Sequence, residues 1–327
     1  MDEILRVFPV ELRQALELKI KQRWTVLQEI RIRLNRPIEL NFDESTEWIS
    51  GILPTKQDAL FIVNQLSEFS LYRMADELRQ GYITIEGGHR VGLAGKVNTL
   101  DGNVKAIGHI TFFNIRIAKQ RIGAATPIIP YIYKGNYLNT LIIGPPQTGK
   151  TTLIRDITRT MASGWGKVRA QKVGVIDERS EIAASINGIP QHDVGRRTDV
   201  LDACPKAEGM MMMIRSMSPD VLVVDEIGSN DDVKALQEVI HAGVKVICSI
   251  HGFSLEEVKR RPSLQILFKQ RVFERIIVLD KAKKPASINI YNQSGLDIYK
   301  ESRWSPFEMD RGTSVYQYDD LDGLRME

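Results

Sequence analysis

"GPPQTGKTT", residues 144–152, decides the fold of this chain. Gly144, four further residues, Gly149, Lys150 and Thr151 match the pattern of a phosphate-binding loop. The flanks match as well. "NTLIIG" (139–144) reads as a buried strand, and "KTTLIRDITRTMA" (150–162) as a helix with Leu153, Ile157 and Met161 on one face. Glycines let such a loop curl until its N–H groups converge on a phosphate, and the helix start adds the positive end of its dipole. The expectation is that Gly144, Pro145, Pro146, Gln147, Thr148, Gly149, Lys150, Thr151 and Thr152 bind ATP. Lys150 would reach the β- and γ-phosphates, and the Thr151 hydroxyl would hold Mg2+.

Downstream, apolar strands alternate with helices. "KVGVID" (172–177), "DVLVVDE" (220–226) and "VKVICSIHG" (244–252) are the strands. "KAEGMMMMIRSM" (206–217) and "DVKALQEVIHAG" (232–243) are the helices, and the run Met210–Met213 reads as a buried helix face. Near-continuous apolar strands separated by helices make a mainly parallel α/β sheet covered on both faces. "ERIIVLD" (274–280) and "SINIYN" (287–292) are expected as edge strands.

Ligands bind at the carboxyl ends of such strands, and acidic residues collect there. Asp225 and Glu226 end one strand and are expected to hold Mg2+ together with Thr151. Asp177 and Glu178 end its neighbour, and Glu178 is favoured over Glu226 to polarise the attacking water. The bland reading of Glu178 is a solvated turn acid. His251 could sense the γ-phosphate, although a histidine after a strand is more often an ordinary surface residue. Arg196 and Arg197, in "HDVGRRTDVLD" (192–202), could bring positive charge to a phosphate across a subunit boundary; on a polar loop the commoner reading is solvation.

The region before the phosphate loop has a different texture. "EIRIRLNRPIEL" (29–40) alternates Ile30, Ile32 and Leu34 against Arg31 and Arg33, a strand with one wet face that Pro37 ends. Residues 57–79 read as one or two helices. "YITIEGGHRVGLAGKV" (82–97) reads as two strands joined at Gly87–Gly88, and "ITFFNIRIA" (110–118) as another. We expect a smaller α/β domain over 1–122, the nucleotide domain over 123–299, and a loose, acidic tail over 300–327.

At 327 residues, 43% hydrophobic and 26% charged, the composition is that of a globular protein with room for two cores. A net charge of +3 is too small to argue for nucleic acid. Cys204 and Cys248 have no metal or redox spacing and read as small buried fillers in a reducing, cytoplasmic compartment. No signal segment or spanning run is visible, so membrane contact is expected to be peripheral, through partners.

The order of phosphate loop, "VIDERSE" (175–181), "IRSMSPDVLVVDEI" (214–227) and "ICSIHG" (247–252) resembles the secretion-type ATPases. These are RecA-like motors of type II and type IV secretion and of pilus assembly. The resemblance implies a RecA-like P-loop NTPase fold, with Asp177–Glu178 as the acidic box and Arg215 with Pro219–Asp220 leading into the Asp225–Glu226 strand. It also implies His251 as the histidine box and Arg116, in "FNIRIAK" (113–119), as a phosphate contact from the N-terminal side. A closer resemblance, to about Asn292, is to a sporulation branch of these ATPases. "EIRIRLNRPI" (29–38), "GGHRVGLAGKV" (87–97) and "RTDVLDACPKAEGMMMMIRSMSPDVLVVDEIG" (197–228) carry it. It implies an ATPase powering the channel between mother cell and forespore, with integral membrane proteins as partners and a homo-oligomeric ring such as a hexamer. One departure stands out: Gly228–Ser229 follow where secretion ATPases carry an arginine. Two rival readings remain. One is a nucleic-acid motor using Arg31, Arg33, Arg36 and Lys96; the other is a nucleotide-gated assembly protein that barely hydrolyses ATP.

Overall fold

The computed structural model of the chain describes residues 1–67, 81–100, 103–280 and 287–299. They fall into two units, Met1–Lys119 with Ala184–His192, and Gln120–Ala183 with the chain from Asp193 onward.

In the first unit, six strands form one antiparallel sheet in the order β3-β2-β1-β6-β5-β4. They are β1 (Leu27–Arg33), β2 (Ile38–Phe42), β3 (Thr46–Ile49), β4 (Tyr82–Ile85), β5 (His89–Leu100) and β6 (Asn103–Arg116). The period-two pattern decides their orientation. Ile30, Ile32, Leu40, Val91, Phe113 and Ile115 all turn into one core. Among the described residues, helices α1 (Asp2–Leu5), α2 (Val10–Ile20) and α3 (Lys56–Leu66) accompany the sheet. Leu12, Leu16 and Ile20 of α2, spaced four apart, are buried. Thr55 caps α3 reciprocally with Asp58. The tight turn between β4 and β5 uses Gly87 at φ +81°, where a side chain would be strained. The expected second half of the 57–79 helical region lies outside the described residues, as does the tail from 300. Arg31 and Arg33, the phosphate contacts of the nucleic-acid reading, are each paired with a carboxylate, Glu29 and Glu39.

The second unit opens with a small hairpin, β7 (Tyr133–Lys134) and β8 (Asn136–Tyr137). Its main elements then alternate: β9 (Thr140–Gly144), α4 (Lys150–Ser163), β10 (Val173–Asp177), β11 (Thr198–Asp202), α5 (Lys206–Ser216), β12 (Val221–Val224), α6 (Asn230–His241), β13 (Lys245–His251), α7 (Leu255–Lys259), α8 (Gln265–Lys269), β14 (Arg275–Asp280) and β15 (Ser287–Asn292). The seven-stranded sheet has the order β11-β10-β12-β13-β9-β14-β15. All its pairings are parallel except β14 with β15. Successive residues of one strand serve opposite faces. Ile142 packs with Leu153, Ile157 and Met161 of α4. Leu141 and Ile143 pack on the side of α5 and α6, with Met213 and Leu236.

Four expectations need correction. "TDVLD", read as loop, is the edge strand β11; its residues are all half-buried and carry two aspartates, so no apolar run marked it. "ERIIVLD" is not an edge: β14 lies between β9 and β15, which explains why Ile276, Ile277, Val278 and Leu279 are all buried. Of the methionine run only Met210 and Met213 are buried, while Met212 is 52% exposed, because a helix cannot turn four consecutive residues inward. Cys248 is a buried filler whose thiol pKa burial pushes up, whereas Cys204 is half-buried.

Candidate nucleotide site

β9 ends at Gly144, directly beside His251 at the end of β13. The chain then curls back. Gln147 has φ 61° and Gly149, which caps α4, has φ 90°. Gly144 has no room for a side chain: a Cβ there would stand 2.7 Å from the Thr148 hydroxyl. That hydroxyl donates to the Pro145 carbonyl at 2.7 Å and closes the loop. The cradle needs its residue types for steric reasons, and it fits a phosphate group.

Lys150, only 8% exposed, folds over the loop. Its ammonium donates to the carbonyls of Gly144 at 2.7 Å and Pro145 at 2.9 Å. A third bond, at 2.9 Å, goes to Nδ1 of His251. An ammonium can only donate, so Nδ1 accepts, and the imidazole carries its proton on Nε2. That nitrogen meets Oε2 of Glu226 at 3.2 Å. Arg179 stands 3.6 Å from the same oxygen. Burial lowers the Lys150 pKa, and Glu226, Asp225 and Glu181 oppose that shift. Asp225, just past β12, accepts the Ser249 hydroxyl at 3.2 Å. Lys150, His251, Glu226 and Asp225 therefore form one cluster at the carboxyl edge of the sheet, with Thr151 at the start of α4.

The acidic box divides its labour. Asp177 is fully buried. Its carboxylate accepts the N–H groups of Glu181, Ile182 and Ala183 at 2.8, 3.0 and 2.8 Å. Burial raises its pKa against those three bonds, and the Asp225 charge adds to the rise. Asp177 therefore organises a loop. Glu178 turns away to an ion pair with Lys206, the first residue of α5. The third acid, Glu181, is the one felt by Lys150.

Of the arginines named from sequence, neither Arg196 nor Arg197 is brought to this cluster. Arg197 donates to the Ala170 carbonyl. It precedes β11, and Thr198 is in register with Val173, so Arg197 stands at the amino edge of the sheet, opposite the phosphate loop of its own chain. Arg196 beside it is exposed. Arg116 ends β6 in the first unit, 64% exposed, with its Nε 3.8 Å from Glu29. It lines a cleft with Asp43 and Glu44.

Sequence reasoning missed Glu181, Arg179, Lys206, Ser249 and Arg155. Glu181 lies in the quoted "VIDERSE" stretch and was open to inspection. Arg155 left a fainter signal, a charged residue among the buried positions of α4. Among the described residues no cluster of three or more His, Cys, Asp or Glu side chains can hold a metal unaided. No helix among the described residues is long and apolar enough to cross a membrane.

The family described as sporulation stage III, protein AA matches residues 1–298. Stage III sporulation protein AA of Bacillus subtilis (strain 168) is 51% identical over 296 residues, covering 90% of this chain and 96% of that protein. Among solved structures, the ATPase DotB of Legionella pneumophila aligns with a TM-score of 0.59 at 14% identity, covering 88% of this chain and 81% of DotB. The pilus retraction motor PilT, solved with bound ADP, aligns with a TM-score of 0.57 at 13% identity, covering 84% and 81%. At such identities the likeness establishes the fold, which is that of the RecA-like secretion ATPases.

Proposed function

The chain belongs to the sporulation stage III protein AA family, and from that premise we propose that it binds ATP with Mg2+ and hydrolyses it as a motor for the channel complex between mother cell and forespore. The observation that carries this reading is the unbroken contact from Lys150 through His251 to Glu226, beside Asp225 and at the mouth of the phosphate loop. Backbone N–H groups of 145–149 would bind the phosphates, and Lys150 would exchange the Gly144 and Pro145 carbonyls for phosphate oxygens. Thr151 and Asp225 would hold Mg2+, which supplies charge neutralisation at the phosphates. Once Lys150 turns to phosphate, His251 keeps its Nε2 proton on Glu226 and frees Nδ1.

The geometry supports Glu226, not Glu178, as the residue that takes the proton from water. The Glu178 carboxylate is engaged by Lys206. Glu226 faces the lysine and histidine of the phosphate loop. Arg197, at the far edge of its own sheet, and Arg116 fit a role toward a neighbouring subunit, which makes a ring-shaped homo-oligomer the expected working form. Membrane attachment then falls to partner proteins. The pairing of Arg31 and Arg33 with carboxylates argues against a nucleic-acid motor.

A second reading, a nucleotide-gated assembly protein, draws on the fact that Glu178 and Glu226 both stand in ion pairs. Single-turnover hydrolysis by the full chain, with and without its membrane complex, separates the two. Turnover that disappears in Lys150→Ala supports the motor. ATP binding without turnover, even with the complex, supports gating. Normal turnover in folded Lys150→Ala refutes the site.

A further inference from the structure

We propose that Arg155 is a positioning residue: from the second turn of α4 it sets the backbone of residues 181–183, and with it the Glu181 carboxylate and the segment 184–192 that follows. Arg155 is 8% exposed and sits on the helix that begins at Lys150. Its Nε donates to the Ile182 carbonyl and its Nη2 to the Glu181 carbonyl, both at 2.6 Å. Asp177 takes the N–H groups of 181, 182 and 183 from the other side. The short loop is thus gripped on its acceptor side from α4 and on its donor side from β10.

Two buried charges are a costly way to hold a loop that backbone pairing or water could hold. What they add is a fixed geometry, since the guanidinium fork binds two adjacent carbonyls at a set spacing and a lysine cannot. The loop has two things to fix. Glu181 is one of the carboxylates around Lys150. Ala184, at φ 50°, continues the chain into Ala184–His192, which the first unit takes in. There the Gln191 side chain accepts the Gly87 N–H at 3.1 Å.

The adjacent helix residue does related work. Asp156 accepts the Ala125 N–H at 2.8 Å. Gln120, the first residue of the second unit, exchanges two hydrogen bonds with the Asp193 backbone, at 2.7 and 3.0 Å. The chain passes between units at 119–120, 183–184 and 192–193. Two of the anchors beside these crossings, at 125 and at 181–182, are held by α4, whose first turn is the phosphate site.

The test is hydrogen–deuterium exchange on the full chain, with and without a non-hydrolysable ATP analogue and Mg2+, together with turnover, for wild type, Arg155→Lys and Arg155→Met. Wild type should gain protection at 144–152 and at 181–192. Arg155→Met should keep analogue affinity and protection at 144–152 but lose the response at 181–192. Its turnover should fall about 10²-fold, the scale of a ~1 Å misplacement. Arg155→Lys should recover part of both losses. If Arg155→Met does not fold, Arg155→Lys decides by the same measures. The proposal is overturned if 181–192 respond in the variant as in wild type, or never respond in wild type. It is also overturned if affinity, protection at 144–152 and turnover fall in parallel, as for a merely structural residue. The turnover arm rests on the ATPase reading. If wild type protects 144–152 without any turnover, that reading fails and the exchange response alone decides the role of Arg155.

Discussion

Replacing Glu226 by glutamine tests the proposal that Glu226, and not Glu178, takes the proton from water. Glutamine keeps an oxygen that can accept the His251 Nε2 proton, now held at 3.2 Å, so the contact back to Lys150 survives. The Arg179 pairing is lost. That guanidinium is 63% exposed and 3.6 Å away, so the loss costs ~0–1 kcal/mol of stability. Nucleotide affinity should hold or improve, because one negative charge leaves the neighbourhood of Lys150 and the incoming phosphates. Turnover should fall by ~10²–10⁴, the loss of a general base, or about 3–5 kcal/mol in the barrier. Glu178→Gln breaks only the pair with Lys206. It should change stability by ~0–1 kcal/mol and leave turnover within about tenfold of wild type. The assay is ATP-analogue binding, single-turnover hydrolysis and thermal melting on matched full-length proteins. If Glu226→Gln turns over normally while Glu178→Gln binds ATP and stalls, the argument from the Lys206 pair is wrong.

Three further outcomes are expected. Asp177→Ala leaves three N–H groups, two of them buried and one half-buried, without their acceptor. It should destabilise the fold by about 2–4 kcal/mol, read as a lower midpoint in urea; an unchanged midpoint would contradict the loop-organising role. Glu47 has its pKa lowered to about 2 by hydrogen bonds from Arg23 and Lys19. Its folded pKa lies below the unfolded one, so its contribution is present above about pH 4.3 and is lost as pH falls toward 2. Melting of Glu47→Gln against wild type should therefore differ at pH 7 and converge near pH 2. Arg197→Ala should leave nucleotide binding by dilute protein unchanged and slow turnover only at concentrations where the chain assembles. A loss independent of concentration would exclude action on a neighbour.

The phosphate loop and the parallel strands around it were legible because their signals are local. A glycine at a left-handed position, a lysine at a helix start and a run of apolar residues all act within a few positions. β11 was not legible. An edge strand satisfies its backbone on one side only and needs no apolar run, so "TDVLD" reads like a loop. The pairing of Glu178 with Lys206 was not legible for a related reason. Sequence shows which strand an acid ends, but where each of three acids turns depends on groups elsewhere, here the Lys206 ammonium that pairs with Glu178 and the 181–183 N–H groups that hold Asp177. The opposite placement of Arg197 follows once "TDVLD" is a strand, since the residue before a parallel strand stands at its amino end.

The two borders of the seven-stranded sheet have a consequence for assembly. On one side β11 presents Asp199 and Asp202 along a half-buried strand, and Arg196 and Arg197 precede it. On the other, β15 is capped by its own continuation: Tyr291 bridges to Asp297, and the Ile298 N–H donates to the Ile290 carbonyl at 2.8 Å. A charged border and a folded-over one both discourage strand addition by another polypeptide. In the ring proposed above, copies of this chain would then meet through side-chain surfaces. Contacts of that kind can slide and re-form with each turnover, whereas a sheet extended from one subunit into the next would have to be torn.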